Sequence, residues 1–242
     1  MTLEEFESIR GQGIYEKFKH QFNKFRSMKS NRFTLSWKNC IPCLDDWTGT
    51  CNFDTQYVYH IAWAARVLAE TRPSKHIDIS SSIYFPAIVS AFVPMDYYEY
   101  RPTDIFLSNL TTKHADLLEL PFGTETVESL SCLHTIEHIG LGRYNDVLDP
   151  DGDLKSIAEL KRVIRKGGNL LIAVPIGQSE LLFNAHRIYS YDQITSYFSD
   201  LRLVRYDLIP DDAYKTGMIY NATKNDTDIQ IYGCGCFQFT KE

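Results

Sequence analysis

The chain has 242 residues, 44% of them hydrophobic and 23% charged, ordinary proportions for a folded domain long enough to bury a sizeable core. Against 25 basic residues stand 31 acidic ones, and the formal net charge of −6 excludes the basic footprint of a general nucleic-acid binder. The opening MTLEEFESIR lacks a signal-peptide core and no long uncharged apolar run follows, so a cytoplasmic protein is expected.

The first segment, Thr2 to about Ser30, reads as a helix. Thr2 with Glu5 matches a capping box, and Tyr15, Phe18, Phe22 and Phe25 recur at helical spacing between Lys17, Lys19, Lys24 and Arg26. Gly11 and Gly13 loosen its start. Packing on the main domain is one use of such a stripe, and peripheral membrane or partner contact is the other. From Arg32 to Thr55 the pattern breaks into a loop-rich stretch with Pro42 and Gly49. Residues 1–55 are therefore expected to form a helix and loop-rich extension, and 56–242 the main domain.

Asp54-Thr55 caps a helix expected from Gln56 to about Glu70, burying Val58, Ile61, Ala62, Ala65 and Leu68, with Arg72-Pro73 ending it. Short apolar runs then alternate with helical stretches, the signature of a mainly parallel sheet with crossover helices. Strands are expected at His76–Ile79, at Tyr97–Tyr100, ending near Ala115, at Val127–Leu133 and at Asn169–Val174. Helices are expected at Ile83–Phe92 and Asp153–Ile164, the latter terminated by Gly167-Gly168. Leu201–Leu208 and Ile229–Phe239 read as a final antiparallel pair.

Open parallel sheets bind ligands at the carboxyl ends of their strands. There the chain places Asp78 with Ser80, Ser81 and Ser82, then Glu99, then Asp116-Leu117, then His134 to His138. This ordered set resembles the class I S-adenosylmethionine-dependent methyltransferases from about Gln56 onward. The resemblance implies a three-layer αβα sandwich, Rossmann-like, with a mostly parallel seven-stranded sheet and an antiparallel last strand. It implies S-adenosylmethionine as cofactor, with Glu99 accepting from both ribose hydroxyls and Asp116 recognising the adenine amino group beside Leu117. Asp78, Ser80 and Ser82 would face the methionine end, and His134 would border it. The family carries glycine where this chain has Ser80 and Ser82. A serine held at positive φ costs about 1 kcal/mol or more, and one in an ordinary conformation turns its side chain toward cofactor space.

A closer resemblance rests on Ser129-Leu130-Ser131-Cys132-Leu133-His134, on Glu137-His138-Ile139-Gly140-Leu141-Gly142-Arg143-Tyr144, and on Phe183-Asn184-Ala185-His186-Arg187. Asp149-Pro150 and Gly167-Gly168-Asn169 belong to the same set. These motifs are similar to the family DUF268. That resemblance implies a small-molecule acceptor, such as a sugar or glycan precursor in surface-polysaccharide biosynthesis. The alternative is a non-catalytic methyltransferase-like module that has lost cofactor binding and serves as a partner or scaffold.

His138 and His134 follow the fourth strand, where a base on an acceptor hydroxyl is needed, and histidine titrates near operating pH. His134, Glu137 and His138 also have metal-ligand chemistry, but no fourth ligand is evident, and no metal is expected. Arg143, Tyr144, Asn184, His186 and Arg187 are candidates for holding a hydroxyl-rich or acidic acceptor, against the alternative of loop ion pairs with Asp146 or Asp149. Cys40-Ile41-Pro42-Cys43, with Cys51 nearby, lacks the further ligand of a zinc clip. Cys234 and Cys236 alternate with glycines in the last strand and read as small core residues.

Overall fold

The computed structural model describes residues 12–28, 32–44, 46 and 48–242 and divides into two units, Met1–Phe53 and Asp54–Glu242. The expected capping box at Thr2 and Glu5, and Gly11, lie outside the described residues. Within the first unit, α1 spans Gln12–Ser27, and a 3-10 turn covers Trp37–Asn39. Tyr15, Phe18 and Phe22 gather on Trp37, with ring centroids 6.4, 5.8 and 4.8 Å away. Among the described residues, no helix is long and apolar enough to cross a membrane.

The second unit opens with α2, Thr55–Thr71, whose N-cap Asp54 accepts a hydrogen bond from the Tyr57 amide at 3.0 Å. Its buried face differs from the expected one. His60, Trp63, Ala64, Val67 and Leu68 point inward, while Val58 is 44% exposed. The phase is set by Trp63, whose indole N–H reaches the buried Asp207 carboxylate at 2.8 Å. An aromatic residue and a histidine thus occupy the i, i+3, i+4, i+7 stripe that a purely aliphatic pattern assigns elsewhere.

Nine strands follow in chain order: β1 His76–Ile79, β2 Met95–Glu99, β3 Leu110–His114, β4 Val127–Leu133, β5 Ile164–Ile176, β6 Glu180–Leu182, β7 His186–Ile188, β8 Arg202–Ile209 and β9 Gly233–Thr240. Seven form one sheet in the order β3-β2-β1-β4-β5-β9-β8, and β6-β7 is a separate hairpin. The pairs from β3 to β5 are parallel, and β9 runs antiparallel to both neighbours. Between strands lie α3 Tyr84–Val89, α4 Gly152–Val163, α5 Tyr191–Tyr197, α6 Ala213–Thr216 and α7 Lys224–Asp228. α3 is shorter than its expected range. Beyond Val89 the chain tightens, with the amides of Ala91 and Phe92 bonding to Ile88 and Val89 three residues back.

Both faces of the sheet are covered. Ile172 and Val174 of β5 pack with Ile157 and Leu160 of α4 and Ile194 of α5 in one cluster. The alternate residues Leu171 and Ala173 pack with Trp63 and Val67 of α2 and Phe85 and Val89 of α3 in the other. This is the three-layer arrangement, and it explains the nearly continuous apolar run of β5. The carboxyl ends of β1, β2 and β4 consequently open on one edge, where a ligand can reach them.

Candidate functional site

A crevice of about 270 Å³ lies at that edge, lined by the Ser80–Ser82 turn, Glu99, Asp116, His134, His138 and Tyr144 among others. That is near the lower end of ligand-pocket sizes, roughly 300–1,000 Å³.

Asp78 is not among the residues lining the crevice; it lies behind the Ser80–Ser82 turn with no exposed surface. The carboxylate accepts from Ser81 Oγ at 2.6 Å, from the Ser81 amide at 3.2 Å, and from Ser131 Oγ. The His76 ring bridges Ser129 Oγ at 2.7 Å and Ser131 Oγ at 2.8 Å. Burial raises Asp78 to about 7 against the pull of the two serine hydroxyls, and burial lowers His76 to about 3. Asp78 thus shapes the turn from below.

The two serines that stand for glycines behave differently. Ser80 adopts the left-handed conformation at φ 54°, whereas Ser82 does not. The Ser80 amide donates to Tyr98 O at 2.7 Å and its hydroxyl contacts the same oxygen at 3.3 Å. The backbone therefore takes the path a glycine permits, at a cost of about 1 kcal/mol.

Glu99, half-buried at the end of β2, accepts from the Arg101 amide at 3.2 Å on one oxygen. The other lies 3.1 Å from the Tyr97 hydroxyl, which is also 3.0 Å from Ser81 O. Each carboxylate oxygen retains a lone pair. Asp116 closes a tight turn by accepting from the Leu118 amide at 2.9 Å, while Leu117 is buried.

His134 also has positive φ, 55°, and is buried. Its Nε2 lies 3.1 Å from Cys234 Sγ, and its Nδ1 lies 3.0 Å from Glu137 Oε1, off the line of a good hydrogen bond. Glu137 has no exposed surface, and neither of its oxygens has a hydrogen-bond partner among the described residues. Burial works to raise its pKa, but His134 and His138 outweigh it and hold the carboxyl below its ordinary range. His60 is likewise fully buried with both ring nitrogens unpartnered, and its ring centroid stands 4.7 Å from that of His134. Burial keeps His60 neutral, pushing its pKa well down. Orphaned buried groups of this kind each cost roughly 1–3 kcal/mol.

His138 Nδ1 is 2.6 Å from Ala185 O, a donated bond that leaves Nε2 as its basic nitrogen, 3.6 Å from Glu137 Oε1. Burial lowers its pKa, with Glu137 opposing. Tyr144 stands edge-on to the His138 ring at 5.8 Å, and Arg101 covers its face at 4.5 Å.

The expected acceptor residues separate into two groups. Tyr144 lines the crevice, and Arg143 borders it through His138, donating to Ala185 O at 2.8 Å. Arg187 instead spends its guanidinium on loop carbonyls, Ile139 O at 2.8 Å and Pro150 O at 3.0 Å, and lies 3.5 Å from Asp153. It thus sits in a loop network, but the carboxylate beside it is Asp153 rather than Asp146 or Asp149. His186 stacks on Tyr232 at 5.1 Å, and Asn184 is exposed. Neither is among the residues lining the crevice. Asp146 supports the 140–146 loop by accepting from the Gly140 amide at 2.8 Å and the Tyr144 amide at 3.1 Å. Cys40, Cys43 and Cys51 are free thiols of the first unit. Two residues outside the expected site stand at it: Tyr57 lines the crevice, and the His60 ring lies against that of His134, while Cys234 is buried as expected.

Sheet order, antiparallel β9 and a crevice at the strand ends define the class I methyltransferase fold. A methyltransferase from Thermotoga maritima, described as a possible histamine N-methyltransferase, is similar at TM-score 0.52 and 10% identity, over 77% of this chain and 91% of that one. The 1,6-didemethyltoxoflavin-N1-methyltransferase of Burkholderia thailandensis, solved with its substrate and S-adenosylhomocysteine, is similar at 0.51 and 11%, over 76% and 79%. The YcgJ protein of Bacillus subtilis is similar at 0.50 and 15%, over 75% and 99%. No curated protein matches the chain. Residues 95–205 match the family described as Caenorhabditis protein of unknown function, DUF268.

Proposed function

We propose that this protein is an S-adenosylmethionine-dependent methyltransferase acting on a small hydroxyl-bearing acceptor, with residues 56–242 as its methyltransferase part and 1–55 as an extension. The observation that carries this reading is Glu99, a half-buried carboxylate with free lone pairs at the end of β2, with Asp116 lining the same crevice. The turn is compatible with the cofactor. Ser80 follows a glycine-like path, and its hydroxyl is engaged by Tyr98 O.

In this reading Glu99 accepts from the ribose hydroxyls, Asp116 and Leu117 meet the adenine, and the Asp78–Ser82 turn meets the methionine end. Bound there, S-adenosylmethionine supplies an electrophilic methyl group. His138 takes the acceptor's proton at Nε2, because Nδ1 is committed to Ala185 O. The Glu137 carboxylate, 3.6 Å away, stabilises the imidazolium that forms. His134, held between Glu137 and Cys234, is a positioning residue rather than the base. The Arg101 and Arg143 guanidiniums stand over the Tyr144 ring, and these cationic donors beside an aromatic edge suit a hydroxyl-rich acceptor such as a sugar or glycan precursor.

Calorimetry with S-adenosylmethionine and S-adenosylhomocysteine tests the reading. Binding of either, abolished by Glu99→Ala in a folded protein, is the expected result. Absence of binding to both would sink the proposal and favour a non-catalytic module. Affinity retained by Glu99→Ala would overturn the ribose assignment.

A further inference from the structure

We propose that His60, His134 and Cys234 form a buried site for a divalent transition metal, zinc by its ligand chemistry, with Glu137 as the carboxylate that orients it. One ligand atom from each residue lies within 4.8 Å of the others, and all three side chains are buried. They come from three elements that meet only in the folded unit: His60 from α2, His134 from the turn after β4, and Cys234 from β9.

The polar groups here need a partner the chain does not supply. Both nitrogens of His60 and both oxygens of Glu137 lack hydrogen bonds in a fully buried setting. Native structures almost never leave so many such atoms together, and a bound ion is one of the few accounts available: it would take one His60 nitrogen and offset the Glu137 charge. The arrangement also has the layering of a metal centre. His134 turns Nε2 toward Cys234 Sγ at 3.1 Å and Nδ1 toward Glu137 Oε1 at 3.0 Å. A histidine ligand commonly presents its second nitrogen to a carboxylate, which fixes the ring and raises its basicity.

Size and charge agree. Ligand atoms on a tetrahedral zinc with nitrogen and sulfur donors stand roughly 3.3–3.7 Å apart. The separations here, from 3.1 Å to at most 4.8 Å, bracket that range, so side-chain rotation suffices. Binding deprotonates the Cys234 thiol, and its proton leaves to solvent. The dication, one thiolate and the Glu137 carboxylate then sum to zero charge, which a buried site requires. Two imidazoles and a thiolate select zinc over magnesium or calcium. Three protein ligands leave a fourth position for water or a ligand atom, and His134 is also part of the crevice wall. The site does not depend on S-adenosylmethionine binding.

The test uses the full chain. Purified protein, stripped with chelator and checked by circular dichroism, is titrated with cobalt(II) alone. One equivalent per chain is expected, with visible d–d bands of tetrahedral intensity and a near-ultraviolet thiolate-to-cobalt band, both removed by zinc. Cys234→Ser should lose the thiolate band. His60→Ala should weaken cobalt binding at least tenfold, and Glu137→Gln by about 10–100-fold. A variant with Cys40, Cys43 and Cys51 all changed to serine should keep the spectrum, since none of those thiols is in the proposed ligand set. Folded wild-type protein that binds neither cobalt nor zinc would overturn the proposal without recourse to any variant. So would a thiolate band that survives Cys234→Ser or vanishes in the triple variant.

Discussion

Replacing Asp78 by Asn should change how stability depends on pH, by an amount that follows from its burial. The Asp78 carboxyl sits at about 7 in the folded protein because burial outweighs its serine hydrogen bonds, against about 3.9 when unfolded. Between those values the folded protein holds one more proton at this position than the unfolded chain. Stability therefore falls as pH rises, by about 1.4 kcal/mol per unit and about 4 kcal/mol across the window. His76, two residues away, acts in the opposite sense. Burial lowers it to about 3, so from there to about 6.5 the unfolded chain holds the extra proton and stability climbs with pH. In the parent protein the two slopes largely cancel between about pH 4 and 6.5, hiding both. Asp78→Asn removes one of them. Urea unfolding followed by tryptophan fluorescence at a series of pH values should show variant stability minus parent stability rising by about 4 kcal/mol from pH 4 to 7. A difference that stays flat or falls with pH would show that the buried carboxyl is not held protonated in the folded protein.

Three further outcomes are expected. Ser80→Gly should raise stability by roughly 0.5–1 kcal/mol, since it relieves a left-handed serine; a urea midpoint lower than the parent's contradicts this. Gly140→Ala should cost more than about 3 kcal/mol, because φ is +81° and the new Cβ would fall 2.0 Å from Asp149 O, a backbone atom that cannot swing away. An unchanged midpoint there would mean the 140–149 loop is not seated as described. His138→Asn should abolish methyl transfer while leaving S-adenosylmethionine affinity within a few-fold. In the parent protein the rate should rise with pH through a value below 6.5 and then level off, because burial lowers the His138 pKa. Full transfer by His138→Asn would remove it as the base.

Most strands of the main sheet were legible, because β4 and β5 are apolar runs bounded by polar or glycine residues and the long helices carry clear periodicity. The strand-end carboxylates were legible for the same reason, since Glu99 and Asp116 follow directly from where β2 and β3 stop. Three things were not. The phase of α2 turns on a hydrogen bond from Trp63 to Asp207, separated by 144 residues, and no local pattern announces it. Arg187 looks like a ligand-binding arginine in its motif, yet its guanidinium is consumed by carbonyls of the loop that runs from Glu137 to Pro150. The grouping of His60 with His134 and Cys234 joins residues 74 and 100 positions apart, and only the tertiary fold makes them neighbours.

The insertion of β9 between β5 and β8 raises a problem of alignment. Its Gly-Cys-Gly-Cys start repeats every two residues, so a slide by two would still present a thiol to the same face. What breaks this degeneracy is the opposite face. Such a slide, bringing Cys236 to the place of Cys234, would carry Phe237 to the place of Gly235, where Ile176 already stands 3.0 Å from the position of a Cβ. It would also pull Phe237 away from Tyr206, on which its ring stacks at 4.5 Å. The aromatic half of the strand thus locks the register, and the cysteine half meets His134 only once it is locked.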